Sequence, residues 1–409
     1  MNRVPGEALG IYISIPFCRS KCTYCNFASG VYPASEQARY VERVAQDLGG
    51  ARGWADKMKV ELPRRVDSVY FGGGTPSLLT PAQIAQIFAA LRQNFDLDPT
   101  AEITMECAPA LLSSETLEAM VTAGVNRVSL GVQSFVDEES RATGRLHTRA
   151  EVELEIARLA AAGISNINVD LIAGLPGQTM DSWRESLDAL IASRLPHASV
   201  YMLEIDEDSR LGRELLAGGS RFKAGLVPTD EAIANMYEVA VEKLGAAGIK
   251  QYEISNFSRT GKVARHNLRY WERRPYLGVG LDASSMLRAC ASEEDGDGPS
   301  PVLRAATTDD LKEYLEQPTL SETAWLAACQ QHEEAWFLGL RLNRGVAYKA
   351  LVDEFGKELV KPARAAVRQL IEEGLLEGNT RTVRLTARGR LLSNEVFARF
   401  LDLEHEAEG

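Results

Sequence analysis

Three of the chain's six cysteines fall in one short stretch, IYISIPFCRSKCTYCNF at residues 11–27, where Cys18, Cys22 and Cys25 form the pattern CxxxCxxC. Thiolates are soft ligands, and several on one loop can hold a zinc ion or an iron–sulfur cluster. A structural zinc site takes four protein ligands, commonly as two separated pairs. No second CxxC or paired Cys/His motif occurs here to complete one. Three cysteines on one loop suit three irons of a cubane cluster, with the fourth iron left open to a substrate. Further along lie Gly72-Gly73-Gly74-Thr75-Pro76 and four isolated polar residues, Glu106, Gln133, Arg145 and Asp170. Glycines at such a turn let a ligand approach the backbone closely. Glu106 could accept hydrogen bonds from a ribose or an ammonium, and Arg145 could pair with a carboxylate. Taken singly, each also has an ordinary structural reading: a tight βα turn for the glycines, a surface or capping role for the others.

Residues so far apart in sequence need a scaffold that gathers them. From residue 11 to about 206 strand-like and helix-like patterns alternate. Strands are expected at 11–17, 66–71, 101–106, 125–131, 166–172 and 199–205, with helices at 35–48, 81–95, 114–123, 150–162 and 180–193. Thr80-Pro81-Ala82-Gln83 fits a capping box with proline at the first helical position. Such alternation gives parallel strands joined by right-handed crossovers. Cys18 follows the first strand, the glycines follow the second, and Glu106 ends the third; Gln133 lies just past the fourth and Asp170 late in the fifth. Ligand sites in parallel α/β folds lie at that strand end. One cavity fed by five consecutive strands is easier to build on a curved sheet. The expected fold is therefore α/β, a partial (β/α)6 barrel over residues 1–210, with residues 211–330 completing it.

Within 211–330 a helix is expected at 229–247, and the acidic, glycine-rich 291–300 reads as a solvated loop. In 331–409 helices are expected at 333–342, 348–355 and 363–373, then two short strands around Gly378-Asn379 and a last helix at 388–401. That order suggests a small winged-helix-like C-terminal domain. Such modules often bind DNA, and Arg364, Arg368, Arg381, Arg384, Arg388 and Arg390 add local positive charge. The net charge of −12 argues against a nucleic-acid partner and favours a packing or substrate-covering role. No apolar run approaches the ~20 residues that span a bilayer, and the opening MNRVPGEALG lacks the apolar core of a signal peptide. Sparse cysteine in a chain of 409 residues points to a reducing cytoplasm, which suits an oxygen-sensitive cluster.

The CxxxCxxC loop resembles the signature of radical S-adenosylmethionine (SAM) enzymes, and GGGTP one strand later resembles their SAM-binding glycine motif. The two at this spacing are far more specific than either alone. The blocks IYISIPFCRSKCTYCNF, YFGGGTPS, GVNRVSLGVQSF, GRLHT, NVDLIAGLPGQT, QYEISNFSR and HNLRYW, spread over residues 11–287, are similar to those of the HemN/HemW group. That group comprises oxygen-independent coproporphyrinogen III dehydrogenases and related haem chaperones. The resemblance implies a radical SAM partial barrel in which Cys18, Cys22 and Cys25 ligate a 4Fe–4S cluster. It implies that Tyr12, Gly73, Gly74, Thr75 and Glu106 contact SAM. Tyr24, Gln133, Arg145 and Asp170 match positions that help hold a second SAM in the dehydrogenase branch. In such enzymes reduction cleaves the sulfonium to a 5′-deoxyadenosyl radical; the cofactor performs that chemistry, and the protein orients it and excludes oxygen.

Three features separate the branches of the group. The dehydrogenases carry a further cysteine two residues after the third ligand, where this chain has Phe27, and a longer arm than the seventeen residues preceding Cys18 here. The chaperone branch carries HNxxYW, present as His266-Asn267-Leu268-Arg269-Tyr270-Trp271. Imidazole is a common axial ligand of haem iron. Many chaperone-branch members have a histidine where Ser284 stands, so His266 becomes the principal haem candidate, ahead of His147 and Cys290. The resemblance thus implies a chaperone that binds haem, a 4Fe–4S cluster and SAM. It would pass haem to an acceptor protein, such as one of a respiratory chain, with peripheral membrane contact left open. The alternatives are oxidative decarboxylation of coproporphyrinogen III and, from another class, DNA binding through the winged helix.

Overall fold

The computed structural model describes residues 7–291, 298–316, 322–379 and 381–401, so most of the expected loop at 291–300 lies outside the described residues. Along the first half the chain runs β1 (Leu9–Ile15), α1 (Ala34–Met58), β2 (Arg65–Gly73), α2 (Pro81–Asn94), β3 (Asp96–Cys107) and α3 (Ser114–Ala123). It continues through β4 (Arg127–Gln133), α4 (Asp137–Ala142), α5 (Arg149–Ala161), β5 (Asn166–Ala173), α6 (Met180–Ala192) and β6 (His197–Met202). The six strands pair in parallel in chain order. Helices cover one face, so strands such as β1 are buried almost throughout rather than alternating with solvent. The Thr80 capping box forms as its sequence requires: the Thr80 hydroxyl accepts from Gln83 N–H at 3.3 Å, and the Gln83 side chain accepts from Thr80 N–H at 2.9 Å.

The sequence pattern predicts that α1 ends at Leu48, before Gly49-Gly50; the helix runs ten residues further, to Met58. Its buried stripe of Val44, Leu48, Ala51 and Ala55 continues at helical spacing, and packing against the core outweighs the ~1 kcal/mol per glycine that favours a break. The six-residue α4 is too short to leave a periodic signature.

Residues after β6 extend both edges of the sheet. They form α7 (Arg210–Leu216), α8 (Asp230–Ala246), β7 (Lys250–Gln251), β8 (Asn256–Ser258), α9 (Arg265–Trp271), β9 (Tyr276–Val279), β10 (Ser284–Arg288), β11 (Val302–Ala306), α10 (Leu311–Glu316) and β12 (Glu322–Leu326). The sheet order is β12-β11-β10-β9-β1-β2-β3-β4-β5-β6-β8-β7. β9 joins β1 in parallel, and the remaining additions are antiparallel. Strands of two to five residues were too short to show alternation in the sequence.

β2 shows how the barrel is layered. Val69 and Phe71 turn to the helices, where Phe71 stacks on Phe88 of α2 at 5.3 Å. Ser68 and Tyr70 point the other way, into the lumen, and meet α9 there. The C-terminal part comprises α11 (Ala328–Leu340), β13 (Val346–Ala347), α12 (Tyr348–Phe355), α13 (Lys357–Val360), α14 (Ala363–Glu372), β14 (Leu376–Gly378), β15 (Thr382–Leu385), α15 (Ala387–Leu391) and α16 (Ser393–Ala398). Its helices and the small β13-β15-β14 sheet enclose a separate core around Trp336, Phe355, Leu370 and Phe400, the winged-helix-like arrangement expected. It docks on the barrel through Arg273–Glu354 at 2.7 Å and through the Arg341 guanidinium, 4.2 Å from the Trp271 ring centre.

Candidate functional site

The cysteine loop leaves β1 through Pro16 and Phe17, whose ring is buried edge-on against Tyr40 at 5.2 Å. Cys18 N–H to Gly30 O at 2.8 Å and Gly30 N–H to Pro16 O at 2.9 Å close the loop at its root. Thr23 N–H reaches Thr143 O beyond α4 at 3.1 Å, so the loop leans over the strand ends. All three thiols are free. Burial pushes the Cys18 thiol up, against hydrogen bonds with Ser29 and Thr75, and Cys25 and Cys22 add a smaller rise. Among the described residues no three Cys, His, Asp or Glu side chains are gathered tightly enough for a single metal ion. Three thiols on one loop offer one ligand to each of three irons of a cluster, whereas a structural zinc ion takes four protein ligands.

The glycines end β2 directly against that root. Ser14 pairs with Gly72 and Ile15 with Gly73, then Gly74 N–H donates to Ile15 O at 2.8 Å and Thr75 N–H to Phe17 O at 2.7 Å. Gly73 holds φ +103°, and a Cβ on Gly74 would lie 2.7 Å from the Phe17 carbonyl oxygen. Only glycine satisfies both positions.

Beside this shelf, Tyr12 stacks on Tyr70 with ring centres 6.1 Å apart, and Tyr70 Oη donates to Glu106 Oε1 at 2.8 Å. Burial first, then the Asp170 charge, push the Glu106 carboxyl up to about 7, against the opposing pull of Tyr70, Arg145 and the Gly73 N–H. Asp170 is also raised by burial, although it accepts from Ser129 Oγ at 3.0 Å and Asn168 Nδ2 at 2.7 Å. Gln133 is aimed by a bulge in β4 and a φ of +70°. Arg145 donates to Tyr24 Oη at 3.3 Å, while its Nε is buried without a partner, an orphan donor suited to an anionic ligand. The structure thus brings Tyr12, Tyr24, Glu106, Gln133, Arg145 and Asp170 to the rim that also carries the cysteines and glycines.

His266 is placed differently. It lies beneath the rim, 1% exposed, with Nδ1 3.0 Å from Ser68 Oγ and Nε2 2.9 Å from Tyr270 Oη. Ser68 Oγ also accepts from Arg269 Nε at 3.3 Å, so both imidazole nitrogens are held by hydroxyls of one buried network. Burial, with Arg269 and Arg127 nearby, lowers its pKa to about 3. Both ring nitrogens are engaged, so His266 offers no open axial position of the kind expected; iron could reach it only after Tyr270 let go. His147, the weaker candidate, is also buried, with Nε2 3.1 Å from Val132 O, and Cys290 is exposed. Tyr270 of the same motif does reach the rim: with Tyr12, Gly73, Phe27, Tyr276 and Ser284 it lines a cavity of about 250 Å³.

Sequence reasoning missed Tyr70, whose inward register beside Ser68 on β2 was the available signal. It also missed the lumen network in which Asn168 Nδ2 donates to Ser199 Oγ at 3.0 Å and Asn168 Oδ1 lies 2.6 Å from His197 Nδ1.

The radical SAM superfamily model matches residues 12–190, and the HemN C-terminal domain model matches residues 326–392. The heme chaperone HemW of Lactococcus lactis is 32% identical over 95% of this chain and 96% of its own length. The heme chaperone HemW of Bacillus subtilis is 32% identical over 95% and 98%. The solved structure of coproporphyrinogen III oxidase (HemN) from Escherichia coli, a radical SAM enzyme, superposes with a TM-score of 0.80 at 22% identity, covering 98% of this chain and 91% of that one. At that identity the likeness speaks to the fold.

Proposed function

The chain belongs to the HemW family of the radical SAM superfamily, and from that premise we propose that it is a haem chaperone, binding haem, a 4Fe–4S cluster and SAM and passing haem to an acceptor protein. In this reading Cys18, Cys22 and Cys25 hold the cluster. Tyr12, the Gly73–Thr75 shelf and Glu106 would hold SAM beside it. Arg145, with its orphan Nε, and Tyr24, Gln133 and Asp170 bind a further polar or anionic group on the same rim. When bound, the cluster and SAM would supply one-electron cleavage of a sulfonium. The chain's own part is to fix the glycine backbone against the cysteine loop, to accept hydrogen bonds through Glu106, and to close the lumen below with α9.

One observation carries the reading: Tyr12 and Gly73 of the SAM side line the same cavity as Tyr270 of HNxxYW. Haem loading and the SAM site would therefore sense one another through Tyr270. Among the described residues no helix is long and apolar enough to cross a membrane. We place the protein in the cytoplasm, reaching a respiratory acceptor by contact.

Phe27, 61% exposed beside the cavity, stands where the dehydrogenase branch has its additional cysteine, which favours carriage over decarboxylation. The test is an anaerobic assay of the reconstituted protein with coproporphyrinogen III, SAM and reductant, alongside a haem titration. A haem-bound Soret band without protoporphyrinogen IX supports the chaperone; catalytic turnover, or no Soret band, overturns it.

A further inference from the structure

The segment after β6 carries groups that the reading above leaves unused. From α7 it continues into a 3₁₀ turn, Arg221–Leu226, and bridges two strand ends of the rim. Leu211 N–H donates to Thr23 O in the cysteine loop at 2.8 Å, the Arg210 guanidinium donates to Lys21 O, and Gly177 N–H beyond β5 donates to Leu226 O at 2.8 Å. The segment is thus a strap tied at one end to the cysteines and at the other to the β5 exit.

Within the strap, Phe222 has two cations beside it: the Arg210 and Arg221 guanidinium carbons are 5.4 and 5.3 Å from its ring centre. Both arginines and the adjoining Lys223 are exposed. Like charges this close to one ring repel, yet among the described residues neither guanidinium takes part in an ion pair. Two carboxylates of the same segment make other hydrogen bonds: Glu214 Oε1 accepts the Arg221 backbone N–H at 2.9 Å, and Asp206 Oδ2 accepts from Asn26 Nδ2 at 2.9 Å. Phe222 and Lys223 hold φ of +57° and +56°, a left-handed backbone that bulky side chains seldom adopt. Phe222 is half-buried there, with Arg210, Arg221 and Lys223 exposed around it.

What could sit there follows from charge and size. A chain of net charge −12 repels an anionic ligand unless cations are placed where it docks. The cavity lined by Tyr12, Gly73, Phe27 and Tyr270, about 250 Å³, is under the ~300–1,000 Å³ of ordinary small-molecule pockets, so a macrocycle would extend beyond it along the rim. Resting on the haem-chaperone reading, we propose that the strap is the seat of the tetrapyrrole's carboxylate edge. Arg210 and Arg221 clamp the two propionates and Phe222 packs on the macrocycle, whose apolar body spans the rim towards the exposed Phe27 and Leu226. Guanidinium forks suit carboxylates, and two forks held around one ring can meet two anions.

The test compares haem with haem dimethyl ester, in which both propionates are capped, by Soret titration of the full chain. It uses the wild type and the Arg210→Ala/Arg221→Ala double variant. The proposal expects the wild type to bind haem at least about tenfold more tightly than the ester, the floor set by one charge-assisted pair when two are lost. It expects the double variant to bind both at the weaker level. Equal affinity of the wild type for haem and ester overturns the strap as a carboxylate seat while leaving the haem reading intact, and needs no variant to fold. A wild type that binds neither overturns the underlying reading as well.

Discussion

Tyr70 donates to Glu106 Oε1 at 2.8 Å while its ring lies 5.4 Å from that of His266, so one side chain of β2 touches both the proposed SAM carboxylate and the HNxxYW histidine. Tyr70→Phe keeps the ring and removes the donor. The Glu106 carboxylate, already pushed up to about 7, would lose a bond that favours its charged form and rise further. SAM affinity, measured by equilibrium dialysis on the anaerobically reconstituted protein, should fall by about tenfold, the scale of a hydrogen bond to a charged group. An unchanged affinity would show that Glu106 does not act through this bond.

The glycine shelf makes a stability prediction. Gly73→Ala places a methyl group at φ +103°, and Gly74→Ala drives one into the Phe17 backbone, so each should cost about 1–3 kcal/mol or more in urea unfolding. Gly53 in α1 has nothing within 4 Å of its would-be Cβ, and Gly53→Ala should stabilise by about 1 kcal/mol. The opposite signs are the readout.

His266 gives a pH dependence. Its folded pKa is lowered to about 3 from an ordinary 6.5, so the unfolded chain takes up a proton that the folded chain refuses. That contribution to stability is whole above about pH 6.5 and is lost as pH falls towards 3. His266→Gln should therefore flatten the fall in urea midpoint between pH 7 and 5. Glu106 has the other sign: its raised pKa makes stability decline as pH climbs from about 4.5 through about 7, and Glu106→Gln should remove that decline. Unchanged slopes would contradict both assignments.

The docking of the C-terminal part on the barrel turns on Arg341. It covers the Trp271 ring at 4.2 Å and stands 3.9 Å from Glu253 Oε2, a carboxylate with no solvent exposure, raised by burial and held down by Arg341. Arg341→Ala removes the cation facing that carboxylate, which keeps its bonds from Ser255 N–H and Asn256 Nδ2, and should destabilise by about 1–3 kcal/mol. Adding Glu253→Gln to it should recover part of the loss. Equal unfolding midpoints for the single and double variants would dissociate the pair.

The six strands and the rim they build were legible in the sequence because parallel strands covered by helices leave long apolar runs. Odd residues such as Cys18, Gly73, Glu106 and Asp170 stand out at the ends of those runs. The edge strands β7 to β12 were not, since pairs and triplets such as Lys250–Gln251 and Asn256–Ser258 carry no period. His266 shows a different limit. Its motif was readable, but whether its nitrogens were free depended on Ser68 and Tyr270, partners nearly two hundred residues and four residues away. Tyr70 was overlooked for the same reason: a tyrosine inside an apolar strand reads as core until the partner carboxylate is placed beside it.

The most direct test of the central claim is spectroscopic. The protein is reconstituted anaerobically with iron and sulfide, reduced, and its electron paramagnetic resonance recorded before and after SAM is added. The account predicts a 4Fe–4S signal that SAM shifts, that is absent when Cys18, Cys22 and Cys25 are replaced by alanine, and that survives replacement of Cys107, Cys290 or Cys329. A cluster that forms without the three loop cysteines, or whose signal ignores SAM, would contradict it.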